Sequence, residues 1–264
     1  MSKCIEKRRD KLLGKDFINN SGDRCFVIDY LGTYKVKVIF YETNNIDVFP
    51  FDSLKRGVFS DKYKPSVFGK GYLGSSKVDK QSHCRWVDML RRCYSETYKK
   101  KTDAYMGCIV CNDWLNYSEF KRWFHSNKNS LMKDENESFW HLDKDVLVRG
   151  NKVYSPETCC FIPQEINKVT VRPNVRKIHK ELPEGVGLIK PKIEGAKVGY
   201  TARAHTGTTD RDRYLGYYNT PEEAFKVYKR VKESHIKSLA DKWKGKIDEK
   251  VYSALINWEV GVDI

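Results

Sequence analysis

The side chains able to do chemistry gather in one stretch, His141 to Asn167, HLDKDVLVRGNKVYSPETCCFIPQEIN. It reads as a hairpin running into a helix. It carries an imidazole (His141), carboxylates (Asp143, Asp145), an ammonium (Lys144), carboxamides (Asn151, Asn167) and two thiols (Cys159, Cys160). Such groups can take a proton, hold a hard cation or meet a phosphate. A second chemistry is open to the thiols: Cys108-x-x-Cys111 with Cys159 and Cys160 makes a candidate structural Zn2+ set. Against it, one C-x-x-C is not a pair of them, and adjacent residues on a strand point to opposite faces. Buried free thiols are the favoured reading.

Composition limits the partners. The 264 residues carry 49 Lys and Arg against 35 Asp and Glu, a formal net charge of +14, with a pI near 9.3. The excess is spread along the chain rather than held in a tail. That balance predicts a polyanionic partner, with nucleic acid first. No window of 18 apolar residues exists, and the opening MSKCIEKRRDK lacks the apolar core of a signal peptide. The expectation is an intracellular protein with no membrane partner, whose eight Cys are reduced. The length exceeds that of a usual single core, so several small modules are expected.

In residues 1–60, Phe26, Ile28 and Tyr30, then Val36, Val38 and Phe40, alternate with other residues, and turns at Leu31-Gly32-Thr33, Glu42 to Asn45 and Leu54 to Gly57 separate the runs. Period two with this spacing predicts a small β-barrel, with Arg24, Lys35 and Lys37 on outer faces as phosphate contacts. Residues 61–80 read as a linker or docked arm, its aromatic residues interleaved with Lys62, Lys64 and Lys70. A helix over about 81–95 follows from the stripe Trp86, Met89, Leu90, Cys93 and Tyr94. Residues 108–114 look extended. Another helix over 118–127 follows from Phe120, Trp123 and Phe124.

The order WVDMLRRCY (86–94), VCNDW (110–114), FKRWF (120–124), LDKD, GN, YSPETC and IN resembles phage-encoded proteins of the HNH homing-endonuclease class over roughly residues 81–170. The resemblance implies a ββα-metal finger. In such a finger the first strand supplies a ligand for a divalent cation and an adjacent general base, a loop Asn orients that base, and a helix residue completes the metal shell. In one register Asp143 is the ligand and Lys144 stands at the base position; in the other His141 is the base, Asp143 lies two residues later and Trp140 takes the ligand position. Asn151 matches the loop Asn and Asn167 the helix ligand, while Thr158 replaces a second loop Asn of a related pattern. The implied cofactor is Mg2+ or a similar ion bound by Asp143 and Asn167. Hydrolysis of a DNA phosphodiester is one expectation. The other is a catalytically inactive DNA-binding or interaction protein, such as a regulator or host-takeover or anti-defence factor.

After a second linker, 171–184, residues 185–264 hold Gly185-Val186, Tyr200-x-Ala202-x-Ala204, Tyr214-Leu215-Gly216-x-Tyr218 and Thr220-Pro221-Glu222-Glu223-Ala224. These resemble the plant ethylene-response-factor, or APETALA-two, DNA-binding domain, which also occurs beside HNH modules in phage proteins. Three antiparallel strands and a helix are expected, the helix capped by Thr220 with Pro221 at its first position and Glu223 closing a capping box. Tyr200, Ala202 and Ala204 share the helix side. The resemblance puts the opposite face on double-stranded DNA, with Arg203, His205 and Tyr214 as contacts, helped by Lys190, Lys192 and Arg211. Where the family carries Arg soon after Gly-Val, this chain has Gly187, Leu188 and Ile189. A further helix is expected from Asp248 to Glu259. The expected fold class is α+β. The expected location is the cytoplasm, that of the host if the chain is phage-encoded.

Overall fold

The structure, a computed structural model, describes residues 3–170, 182–189, 198–205 and 213–261; the chain folds as two compact units, 1–124 and 125–264, of mixed α+β character.

In the first unit, helix α1 (Lys3–Leu12) precedes four strands, β1 (Asp16–Ile18), β2 (Arg24–Gly32), β3 (Lys35–Phe40) and β4 (Ile46–Pro50), paired antiparallel in chain order. The expected barrel is not formed: the sheet is open, β1 and β4 each pairing on one side only. Its inner face is closed by other means. Leu12 of α1, Leu54 of α2 (Phe51–Lys55) and Phe59 bury against Cys25, Val27, Tyr30, Val36, Val38 and Phe40. The alternation in β2 also differs from the simple pattern. The register skips from Val27 opposite Val38 to Asp29 opposite Lys37, so the bulge at Ile28 brings Val27 and Tyr30 to the same face. Thr33 and Tyr34, both at positive φ, make the tight β2–β3 turn.

The arm over 61–80 is docked. Lys64 bonds Asp23 at 2.7 Å, Lys62 pairs with Asp47, and Tyr72 and Tyr117 exchange backbone contacts with Leu115 and Tyr72 at 2.9 and 2.8 Å. Gly71 lies under α3 (Lys80–Tyr94), where a Cβ would meet Leu90 Cδ1 at 2.4 Å and Trp86 Cζ2 at 2.8 Å. Asp79 caps α3 by accepting the Ser82 N–H. Trp86, Met89, Leu90 and Cys93 are buried as the stripe predicts. After α4 (Glu96–Lys99), only Ile109–Val110 (β5) is extended. Asn112–Leu115 coils into α5, a correction to the extended reading of 108–114, because Trp114 must turn inward to accept the Trp86 indole N–H on its carbonyl at 2.7 Å. Helix α6 (Tyr117–Ser126) follows.

The second unit contains β6 (His141–Asp143), β7 (Val153–Tyr154), β8 (Cys160–Ile162) and α7 (Gln164–Thr170), then β9 (Val186–Ile189), β10 (Gly199–Ala204) and β11 (Arg213–Tyr218), and helices α8 (Pro221–Trp243) and α9 (Glu249–Ile256). The last three strands form an antiparallel sheet, order β11-β10-β9. Thr220 accepts the Glu223 N–H, and Glu223 reaches back to the Asn219 N–H, one residue before the expected position. Ala202, Ala204 and Ala224 are buried and let α8 sit close to β10. At the other side Gly185, at φ +76°, has no room for a side chain: a Cβ would meet the Tyr228 ring at 2.1 Å. Gly185→Ala combines a left-handed backbone with overpacking and is expected to lower stability by about 2–5 kcal/mol in urea unfolding.

Candidate functional site

Two short strands and a helix carry the predicted site residues. β6 and β8 pair antiparallel, with His141 opposite Ile162 and Asp143 opposite Cys160. Leu142 turns into the core, so His141 and Asp143, two residues apart, share the opposite side of the strand. α7 buries Ile166 and Val169 and brings Asn167 to the imidazole: its amide nitrogen lies 2.8 Å from His141 Nδ1. Those two residues from the predicted set meet directly. If that nitrogen donates to Nδ1, a neutral ring carries its proton on Nε2; with the amide oxygen there instead, Nδ1 would be the donor.

The other predicted site residues serve the loop. Asp143 Oδ1 accepts the N–H groups of Asp145 at 2.8 Å and Val146 at 2.7 Å. Burial holds the Asp143 carboxyl above the ordinary carboxylate range, outweighing those two hydrogen bonds. Lys144 is buried. Its ammonium reaches both carboxylate oxygens of Asp145 at 2.7 Å and the Asn151 carbonyl at 2.9 Å, and lies over the Tyr154 ring. The register that places Lys144 beside the reacting atoms therefore finds its charge turned into the loop. Asn151 donates to the Lys144 and Val153 carbonyls at 2.9 and 2.7 Å and accepts the Val153 N–H, which locks the turn. Trp140 is fully buried, edge-on to Trp243 at 5.6 Å.

Part of the donor set expected for a divalent cation is already engaged. The carboxylate has one oxygen committed to two N–H groups, the Asn167 amide is committed to His141, and among the described residues no group of three or more His, Cys, Asp or Glu side chains converges. Cys108, Cys159 and Cys160 are buried and Cys111 is half-buried, and burial pushes Cys160 well above the usual thiol range.

The second candidate surface is the side of the β9–β11 sheet away from α8. Pairing of Gly187 with Thr201, Ile189 with Gly199, Thr201 with Tyr217, and Arg203 with Tyr214 puts these seven residues on one face. Arg203 and Tyr214 are exposed, and the guanidinium lies 5.9 Å from the ring centroid. Thr201, by contrast, is buried, its hydroxyl 3.4 Å from the Gly187 carbonyl. His205, just past β10, is half-buried; burial and then His205 hold down the pKa of His235 on α8. Lys190, Lys192 and Arg211 lie outside the described residues. Sequence reading missed Tyr217, which is 53% exposed; its signal was the first of the adjacent tyrosines in the run Tyr214-Leu215-Gly216-Tyr217-Tyr218, where a bulge shifts the alternation. Asp145, the second carboxylate of the stretch, is placed as the partner of Lys144, a pairing that sequence reading did not assign.

Comparison of the chain with protein-family models, with curated proteins and with solved structures finds no match.

The raised Asp143 pKa has a sign. The folded state holds this proton more tightly than the unfolded chain, so the stability it lends is present at acid pH and falls as pH rises through the unfolded value of about 3.9 towards the higher folded one. Asp143→Asn keeps the acceptor oxygen without the charge. Urea midpoints across pH 4 to 7 are expected to show the variant gaining on the parent chain as pH rises, and a constant difference would remove this account.

Proposed function

We propose that this chain is a double-stranded DNA-binding protein whose ββα unit acts as a docking element rather than a cutting centre. The observation that carries the reading is the outer face of the β9–β11 sheet. Among the described residues it bears no carboxylate, and Arg203, which has no ion-pair partner there, stands exposed over Tyr214. An unpaired guanidinium on a flat strand surface is suited to phosphate or to a guanine edge in the major groove. The formal charge of +14 adds the long-range attraction. At the ββα unit, His141 as an Nε2 donor adds a phosphate contact. The resemblances to HNH homing endonucleases of phages and to the APETALA-two domain lead to the same partner.

A second reading, phosphodiester hydrolysis, is favoured by the His141–Asn167 pair. For His141 to act as a base at Nε2, its Nδ1 must carry the proton and donate to the Asn167 oxygen, so the amide must face the other way.

Two experiments separate them. With a fluorescent duplex of about 20 base pairs, Arg203→Ala is expected to weaken binding several-fold and to reduce the slope of log affinity against log salt by about 1; unchanged affinity and slope would remove the sheet face from the reading. Incubated with supercoiled plasmid and Mg2+ or Mn2+, the protein is expected to leave the plasmid intact. Nicking that is lost in both His141→Ala and Asn167→Ala would make hydrolysis the function.

A further inference from the structure

The surface that carries the DNA reading is built for more than phosphate contact. Tyr217 crosses from β11 onto β10: a Cβ at Gly199 would lie 2.1 Å from its Cε2 and Oη and 2.2 Å from its Cζ, so the phenol ring fills the space a side chain at 199 would take. The hydroxyl end of the ring therefore lies against the Gly199 backbone, which holds the ring in place. The residue is 53% exposed, which leaves ring surface open to solvent. Around it the face is low: Gly187 and Gly199 have no side chain, Thr201 is buried, and Ile189 adds an apolar edge. Arg203 and Tyr214 stand one step along the same face.

We infer that this face binds an unpaired nucleobase, stacked on the exposed side of Tyr217, with Arg203 meeting an adjacent phosphate. The inference rests on the DNA-binding reading and names the form of DNA that the site prefers. A ring anchored at its hydroxyl end is held in place before the ligand arrives, so stacking costs little side-chain entropy. A paired base within a duplex shows only its edge, whereas an unpaired base can offer the π-face that Tyr217 matches. The absence of carboxylates on the face among the described residues, together with Arg203, fits a polyanionic strand rather than an apolar protein partner.

The test compares three fluorescent probes of equal length by anisotropy: a full duplex, the same duplex with a central unpaired bubble, and a single strand. The bubble and the single strand are expected to bind about tenfold tighter than the duplex, the range of one aromatic stack. Tyr217→Ala is expected to bring all three to the duplex value, while Tyr217→Phe, which keeps the ring, retains the preference. A circular-dichroism melt of each variant confirms folding, and Tyr217→Leu, which keeps the sheet covered, replaces the Ala variant if that one unfolds. Equal affinity for the three probes, or a preference that survives loss of the ring, overturns the inference and leaves duplex binding standing. No binding to any probe overturns both.

Discussion

The second unit depends on helix α8, and on its being long enough to serve two partners. At about 1.5 Å per residue its 23 residues span roughly 34 Å. Its first turns lie under the three-stranded sheet, where Ala224 meets Ala202 and Ala204 and Tyr228 fills the space above Gly185. Its last turn ends at the β6–α7 segment, where Trp243 meets Trp140 edge-on and, with Lys242, donates to Glu165 of α7. The aromatic pair is the larger part of that second contact: such a pair adds about 0.5–1.5 kcal/mol beyond the area it buries, whereas a half-exposed ion pair contributes roughly 0–1 kcal/mol. Removing α8 would uncover the apolar side of both the sheet and the β6–α7 segment.

The segment from β6 to α7 is organised by polar groups that face its own backbone. Asp143, Lys144 and Asn151, three residues of types suited to catalysis, satisfy N–H and C=O groups within the turn from β6 towards β7, and Asp145 neutralises the buried ammonium. A buried charge left alone costs several kcal/mol, so Lys144 and Asp145 act as one unit. A similar logic holds at the sheet, where Lys232 and Tyr228 both donate to Glu184 beside Gly185. In both places the polar network sets the backbone path, beside half-buried His141 in one case and exposed Arg203 in the other.

Much of the local structure was legible in the residues. Helix α3 and its buried stripe followed from spacing, the start of α8 from Thr220-Pro221, and the hairpin-to-helix character of 141–167 from its pattern. The closure of the N-terminal strands was not legible, because whether a sheet closes depends on what covers its inner face, and here Leu12, Leu54 and Phe59 arrive from outside the strands. The bulge at Ile28 escaped the same way: strict alternation in β2 predicts Phe26 and Ile28 on the face of Tyr30, and only the pairing with β3 shows the skipped residue.

For the candidate site, the sequence by itself determined which chemical groups were available, and its resemblance to HNH proteins implied that His141, Asp143 and Asn167 would belong to one strand–helix unit. Tertiary structure decided what each group is used for. A side chain has only so many hydrogen bonds to make, and the turn claims those of Asp143, Lys144 and Asn151 before any ligand can. It also decided the place of Tyr217, which a one-residue bulge and a missing Cβ at Gly199 lay across the neighbouring strand. Both outcomes turn on contacts between residues distant in the chain, which composition and spacing do not encode.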